Sequence, residues 1–494
     1  MEKQPFVFVL FGASGDLAGR KIFPALYDLY QSQIISKDIV VIGNSRTGRS
    51  DVDFRQLVFE NLTKYYGQVD LPTWRHLEQR LFFVPGDAND PKTTDAIAEK
   101  IKLLKDQGWN TENRLYYLAI IPEVYEAVLT NLGKVVSVNP TSGWQRVMVE
   151  KPFGTDLASA KKLNRLIFHY FNENDVFRMD HFLAKETVQN ILAFRFANGI
   201  FEPIWNKKFV DSIQVSSLET HGIDGREIFY DHTGAIRDVV QNHVLQILAV
   251  ALMDMPASLE PQAVRQKSLE LLQEIQKIPE KEIAQNVVYG QYGRGDINGE
   301  AKRAYIQEEN ISEDSKTETY VAMKLTLASE RWSGVPVYIR AGKRLAQDVT
   351  EISIRFKDPV KNLPQFAKAM SPNILTIRVQ PNEGIVLRFD AKKPGFGYDL
   401  QPVNMEFRYT SAFAGSPLIE AYERLINDAV NGDHILFPNA EGVETTWRIV
   451  TPLLQNPKKP HPVEIYSAGS MGPTGAEALL ARDHRFWFDL SSGV

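Results

Sequence analysis

The 494-residue sequence contains no cysteine. Its absence excludes disulfides, thiolate metal centres, iron–sulfur clusters and thiol nucleophiles, so any chemistry must come from other side chains or a cofactor. No resident metal is expected. Long apolar runs are missing as well. The most hydrophobic stretch, residues 244–253 interrupted by Gln246, would span about 15 Å as a helix, half of the roughly 30 Å hydrocarbon thickness of a bilayer. Neither sign of charge dominates: 56 basic and 61 acidic side chains leave a net charge of −5, which gives no global field for nucleic acid or an anionic membrane. Neither partner is expected, and an anionic ligand must be held by a local basic cluster. Residues 6–11 are apolar but short and preceded by a single lysine. A buried strand entering a turn explains them better than a signal segment, so the chain reads as cytoplasmic.

What is present fits a packed globular protein of about two or three cores, because hydrophobic residues reach 44% and glycine and proline are ordinary at 31 and 26. In the first 180 residues, short apolar runs at 6–11, 39–42, 81–84, 115–120 and 147–149 alternate with helical spacing at 17–30, 52–66, 94–104 and 124–132. Continuous apolar strands alternating with helices indicate a doubly wound, Rossmann-like α/β domain over 1–180. From about residue 190 the period becomes two: Ile352, Ile354 and Phe356 alternate with Glu351, Ser353 and Arg355. Similar runs at 191–196, 212–218, 319–327, 335–340, 375–379, 385–389 and 405–409 predict a large, mainly antiparallel sheet. Helices at 234–253, 421–430 and 443–454 are expected to cover it, making 181–494 an α+β domain. Residues 279–316 read as surface loop around one strand, and 456–474 as an extended tail.

The segment Gly12-Ala13-Ser14-Gly15-Asp16-Leu17-Ala18 follows the first strand and opens a helix. Small residues at 12, 15 and 18 permit a tight turn and close approach of backbone to a pyrophosphate at a helix N-terminus. Gly12, Ser14, Gly15, Asp16 and Leu17 are therefore candidate cofactor residues; the plainer alternative is a glycine-rich turn. The second strand runs into Gly43-Asn44-Ser45-Arg46-Thr47-Gly48-Arg49, without the carboxylate that usually takes the ribose hydroxyls of NAD. Arg46 and Arg49 suit a 2′-phosphate, favouring NADP with NAD as second choice, unless they are solvated loop arginines. Asp87 and Ala88 follow the third strand on the adenine side, where Asp87 could simply be a turn residue.

Three further segments carry chemistry: Glu150-Lys151-Pro152-Phe153-Gly154; Arg178-Met179-Asp180-His181-Phe182-Leu183-Ala184-Lys185-Glu186; and Gly234-Ala235-Ile236-Arg237-Asp238-Val239-Val240-Gln241-Asn242-His243. With the turn at 12–18 they resemble glucose-6-phosphate dehydrogenase. The resemblance continues in the same order through Thr317-Glu318-Thr319, Ile339-Arg340-Ala341-Gly342-Lys343-Arg344, Arg378-Val379-Gln380-Pro381-Asn382-Glu383 and Gly432-Asp433 to Phe437. It implies oxidation of glucose 6-phosphate at C1 to 6-phosphogluconolactone with reduction of NADP, the first oxidative step of the pentose phosphate pathway, by a cytoplasmic homodimer or higher oligomer.

Hemiacetal oxidation needs a base for the C1 hydroxyl proton while the cofactor takes the hydride. By resemblance His243 is that base and Asp180 the carboxylate that orients it. His181 and Lys185 stand four apart, one turn if the segment is helical, and by resemblance hold the 6-phosphate. Lys151 resembles the lysine that reaches both substrate and nicotinamide. Glu219, Asp238 and Lys343 resemble groups on sugar hydroxyls, with Gln380 a further candidate, and Lys21 could add positive potential or be a solvated helix lysine. Two positions depart from the family pattern. Phe182 replaces the usual Tyr, a loss of about one kcal/mol if a hydrogen bond is missing, and Asp348 stands where Lys or Arg is expected. Either the loop places Asp348 elsewhere, with Arg344 or another cation substituting, or affinity is reduced. The competing readings are a dehydrogenase of another hexose or hexose phosphate and a non-catalytic NADP-binding sensor.

Overall fold

The computed structural model describes residues 3–138, 141–358, 371–415, 418–454 and 460–488. These divide into two compact units. The first comprises Met1–Lys185, Ala257–Arg265 and Ile419–Glu444, and the second Glu186–Pro256, Gln266–Leu418 and Thr445–Val494. The single boundary expected at 180/181 is thus replaced by a divided one, because two later segments return to complete the first unit.

The first unit is built on β1 (Val7–Phe11), β2 (Val40–Ser45), β3 (Leu81–Pro85), β4 (Arg114–Leu118), β5 (Gln145–Val149) and β6 (Val176–Arg178). They lie in the order β3-β2-β1-β4-β5-β6 and every neighbouring pair is parallel. This doubly wound order reverses at β1, where ligands gather at the strand ends. β1, β2 and β4 are buried along their whole length, which is why they read as unbroken apolar runs. The helix Ala421–Asn431, expected over the large sheet, belongs to this unit instead and packs against the helix Phe23–Gln31.

The second unit holds a nine-stranded sheet and a small hairpin. Its strands are β7 (Val210–Leu218), β8 (Val287–Gly293), β11 (Tyr320–Leu325), β12 (Val337–Gly342), β13 (Val349–Phe356), β14 (Ile374–Gln380), β15 (Gly384–Lys392), β16 (Leu400–Arg408) and β17 (Val463–Ser467), with β9 (Gly295–Ile297) and β10 (Glu300–Lys302) forming the hairpin. The order is β16-β15-β14-β13-β7-β12-β11-β8-β17, antiparallel except for the parallel pairs β7 with β12 and β8 with β17. Two expectations are corrected here. Residues 191–196 belong to a helix, Glu186–Phe196, whose buried positions Thr187, Val188, Ile191 and Arg195 have helical spacing. Arg195 misled the pattern: it is charged yet fully buried, donating to the carbonyls of Ala251 and Met253 and pairing with Glu202 at 2.8 Å. The expected tail carries β17, which pairs with β8 at the sheet edge; residues 456–459 of that call lie outside the described residues.

Candidate active site

In the first unit, Gly12 follows β1 with φ +84°, and a Cβ there would lie 2.1 Å from the carbonyl oxygen of Ala119. Only glycine passes. The N–H groups of Gly12 and Ala13 both donate to Asn44 O at 2.9 Å, and Gly15 N–H donates back to Gly12 O. This fold-back leaves Ser14, Gly15 and Asp16 open to solvent at the start of a helical segment that begins at Asp16 and is π-helical over Ala18–Ile22. Asp16 is tied to Arg20 at 3.3 Å and Lys21 faces Glu420 at 3.7 Å, both on the surface.

At the end of β2 the buried Asn44 donates to the carbonyls of Val84 and Gly86, joining this strand end to that of β3. Arg46 follows and is exposed. Arg49 is half-buried, with its Nε buried and without a hydrogen-bond partner. Asp87 is exposed and engaged in a turn, accepting from Asn89 N–H at 2.9 Å, while Ala88 is buried beside it. A glycine that no other residue could replace, an open turn at a helix start and an orphaned guanidinium nitrogen fit a dinucleotide phosphate.

β5 delivers Glu150 and Lys151. The Glu150 carboxylate is buried, accepts from Tyr117 OH at 2.7 Å, and is bonded by Tyr422. Burial pushes its pKa up, against the pull of these bonds and of neighbouring Lys151. β6 delivers the next group. Arg178 is 0% exposed, paired with Glu173 at 3.0 Å and bonded to Asn164 Oδ1. Asp180 is 2% exposed, and its Oδ1 accepts from Phe182 N–H at 3.0 Å. Residues 181–185 form successive turns, with Leu183 N–H to Asp180 O and Lys185 N–H to Phe182 O, rather than the single helical turn considered from sequence. His181 stacks near Tyr422 at 6.2 Å, and Lys185 Nζ lies 5.7 Å from the centre of the buried Phe182 ring. Phe182 thus presents a π face where a hydroxyl was expected.

In the second unit, Glu219 ends β7 and Lys343 follows β12. The Lys343 ammonium, in a residue 3% exposed, pairs with the Glu219 carboxylate and stands 5.5 Å from the Tyr230 ring centre. Asp238 and His243 sit on the π-helical segment Ile236–Val244, which continues as the α-helix Leu245–Leu252. Five residues make rather more than one π turn, so both fall toward one face, whereas an α-helix would turn them far apart. Asp238 faces Arg226 at 3.8 Å, and His243 is 2% exposed. Gln380 ends β14, half-buried.

Asp348 has a specific occupation: its Oδ1 accepts from Thr220 N–H at 2.8 Å and its Oδ2 from Thr220 Oγ1 at 2.6 Å. Arg344, the substitute cation considered from sequence, is itself engaged by Asp224 at 3.1 Å and Glu308 at 3.6 Å. Sequence reasoning gave no role to Glu150, Tyr422 or Tyr230. For Tyr422 no local signal exists, since its partners lie more than two hundred residues earlier.

Residues 9–190 match the family described as "Glucose-6-phosphate dehydrogenase, NAD binding domain", and residues 192–488 match "Glucose-6-phosphate dehydrogenase, C-terminal domain". A glucose-6-phosphate 1-dehydrogenase of Chlamydia pneumoniae is 39% identical, covering 98% of this chain and 96% of the relative. That of Bacillus subtilis is 37% identical, covering 98% of each. A solved structure of glucose-6-phosphate dehydrogenase in complex with its substrate glucose-6-phosphate superimposes with a TM-score of 0.89 at 36% identity, covering 99% of each chain. A Mycobacterium avium glucose-6-phosphate 1-dehydrogenase gives 0.82 at 32% identity over 98% of each. With two family models matched over residues 9–190 and 192–488 and relatives at 37% and 39% identity over nearly the full length, this chain belongs to the glucose-6-phosphate dehydrogenase family.

Proposed function

We infer that this protein oxidises D-glucose 6-phosphate at C1 to 6-phospho-D-glucono-1,5-lactone, with NADP as its nicotinamide cofactor. The observation that carries this reading is the full-length likeness to a substrate-bound glucose-6-phosphate dehydrogenase, at 36% identity and a TM-score of 0.89. When bound, the nicotinamide supplies the hydride acceptor. The chain's own residues do the rest. His243 takes the proton of the C1 hydroxyl, and Asp180 holds the imidazole and stabilises its protonated form. Burial of both suits this work, because exclusion of water strengthens the ion pair that forms. His181 and Lys185 neutralise the 6-phosphate, Lys151 lies between sugar and nicotinamide, and Glu219, Asp238, Lys343 and Gln380 orient sugar hydroxyls. Lys21 adds little because Glu420 faces it.

NADP is favoured over NAD because no carboxylate occurs in residues 43–49 while Arg46 stands exposed directly after β2. Gly12, Ser14, Gly15, Asp16 and Leu17 would line the pyrophosphate, with Asp87 and Ala88 toward the adenine. We place the enzyme in the cytoplasm; among the described residues no helix is long and apolar enough to cross a membrane. We further propose a homodimer, supported by the open outer strand β16, where Met405 is exposed in an otherwise uncovered run.

One assay tests the reading: absorbance of reduced cofactor with glucose 6-phosphate, glucose or galactose 6-phosphate, each with NADP and NAD. Preference for glucose 6-phosphate with NADP supports it. Preference for another sugar would move the substrate, and silence with every hexose phosphate would leave only nucleotide binding. A monomer in light scattering would remove the dimer.

A further inference from the structure

The tripeptide Thr317-Glu318-Thr319 has no role in the mechanism above, yet it is bonded both to the start of the helix that carries Asp238 and His243 and to Lys343. It enters β11. The Glu318 backbone carbonyl accepts from Ala235 N–H at 2.9 Å, and its carboxylate Oε1 accepts from Ile236 N–H at 3.3 Å. These are the first donors of the helix that carries Asp238 and His243, and Ala235 at its start supplies no side-chain cap. The cap therefore comes from a strand some eighty residues later. Gly234 makes room for it: its φ is +65°, and a Cβ there would lie 2.4 Å from Glu318 Oε1. One residue on, the Thr319 carbonyl accepts from Lys343 N–H at 3.0 Å, and its hydroxyl bonds Tyr466 OH, which donates to Lys343 O at 2.6 Å. Lys343 in turn pairs with Glu219.

We propose that Glu318 is a positioning residue, seating the helix of Asp238 and His243 at a fixed register to Lys343 and Glu219. The proposal rests on the function inferred above. A glutamine would satisfy the same N–H groups without the cost of burying a charge, so it is the acceptor rather than its charge that seats the helix. Burial pushes the Glu318 pKa to about 7, opposed by its own N–H, that of Ile236 and the charge of Arg237. The other titratable groups that feel it are the phenols of Tyr230, Tyr289 and Tyr305. Below about pH 7 the group is therefore protonated and neutral, and what it supplies to the helix N-terminus is an accepted bond and a fixed register rather than a charge.

The test compares Glu318→Ala and Glu318→Gln with the wild type, measuring Tm, kcat and both KM values, and the pH dependence of kcat/KM. Glu318→Ala is expected to lower kcat about tenfold or more with the KM for NADP within twofold. Glu318→Gln, which keeps the acceptor, is expected to restore kcat to within a few fold and to leave the acid limb of kcat/KM where it stands in the wild type. A folded Glu318→Ala with wild-type kcat and KM would overturn the proposal. So would a folded Glu318→Gln with kcat more than tenfold below the wild type, and that result decides the matter if the alanine variant fails to fold. A wild type inactive toward glucose 6-phosphate would be a failure of the function reading, visible before any variant is compared.

Discussion

In the six-stranded sheet the candidate ligand groups come directly after the strands, as at Gly12, Arg46 and Asp180, with main-chain bonds holding the turns at Gly12 and Asp180. In the nine-stranded sheet charged side chains lie within or directly against the strands, as with Arg340 in β12, Glu351 in β13 and Lys343 beside Glu219. The first arrangement suits a ligand approached by backbone, which tolerates no added atom. The second suits a ligand approached by side chains, each of which must be braced against burial. Damage should therefore take different forms in the two units.

The largest effect is expected in the second unit, from the proton acceptor. His243→Asn should lower kcat by about 10²–10⁴-fold while leaving glucose 6-phosphate binding largely intact, and Asp180→Asn should cost less. Near-normal turnover of the His243 variant would remove the base from the mechanism. In the first unit the backbone is limiting, so a single methyl should suffice. Gly12→Ala places a Cβ 2.1 Å from Ala119 O at a positive φ, and we expect nucleotide affinity to fall about 10–100-fold or folding to fail. Fluorescence titration with NADPH checks this, and unchanged affinity would break the contrast between the units. Arg46→Ala sharpens it. KM for NADP should rise about tenfold with that for NAD little changed, because only NADP offers a 2′-phosphate; equal losses would mean that Arg46 acts through the loop.

The smallest expected effect concerns pH and belongs to the first unit alone. Burial holds the His434 pKa at about 4, below the usual value of 6.5. The unfolded chain binds this proton first, so the stability contributed by neutral His434 is complete above pH 6.5 and is lost as pH falls toward 4. Between pH 7 and 5 the loss should be about 2 kcal/mol, read as a steeper fall of Tm in the wild type than in His434→Gln. Parallel curves would show that the ring, stacked on Phe177 at 4.1 Å, titrates normally.

How much of this was legible in the sequence follows the same division. Strands buried on both faces announce themselves as apolar runs, and Gly12 announces its turn because no other residue survives there. The helix Glu186–Phe196 was misread as a strand because a buried arginine stands where helical spacing calls for an apolar residue. β17 was missed because it lies in a Pro/Gly-rich region and pairs at a sheet edge, where few side chains need be apolar. The common face of Asp238 and His243 depends on π-helical winding, which no residue pattern signals. Family likeness supplied their roles, whereas the clamp of Glu318 on Ile236 required coordinates.

The return of Ile419–Glu444 to the first unit has a consequence for biosynthesis. Arg146 donates to the carbonyls of Ala429 and Val430, Asn164 bonds Ala440 and Glu444, and Glu150 is bonded by Tyr422. All three early residues are translated with these partners still unmade. At about 5–20 residues per second the ribosome needs roughly ten to fifty seconds to go from the end of the first segment to the returning one. During that interval the dinucleotide-binding half emerges with one carboxyl and two polar side chains each short of its later partner, and with the face of the helix Phe23–Gln31 that later meets Ala421–Asn431 still uncovered. The nascent half is thus the stage at which a chaperone would be most needed, and a ribosome stalled between residues 185 and 419 would hold a nucleotide domain unable to finish folding.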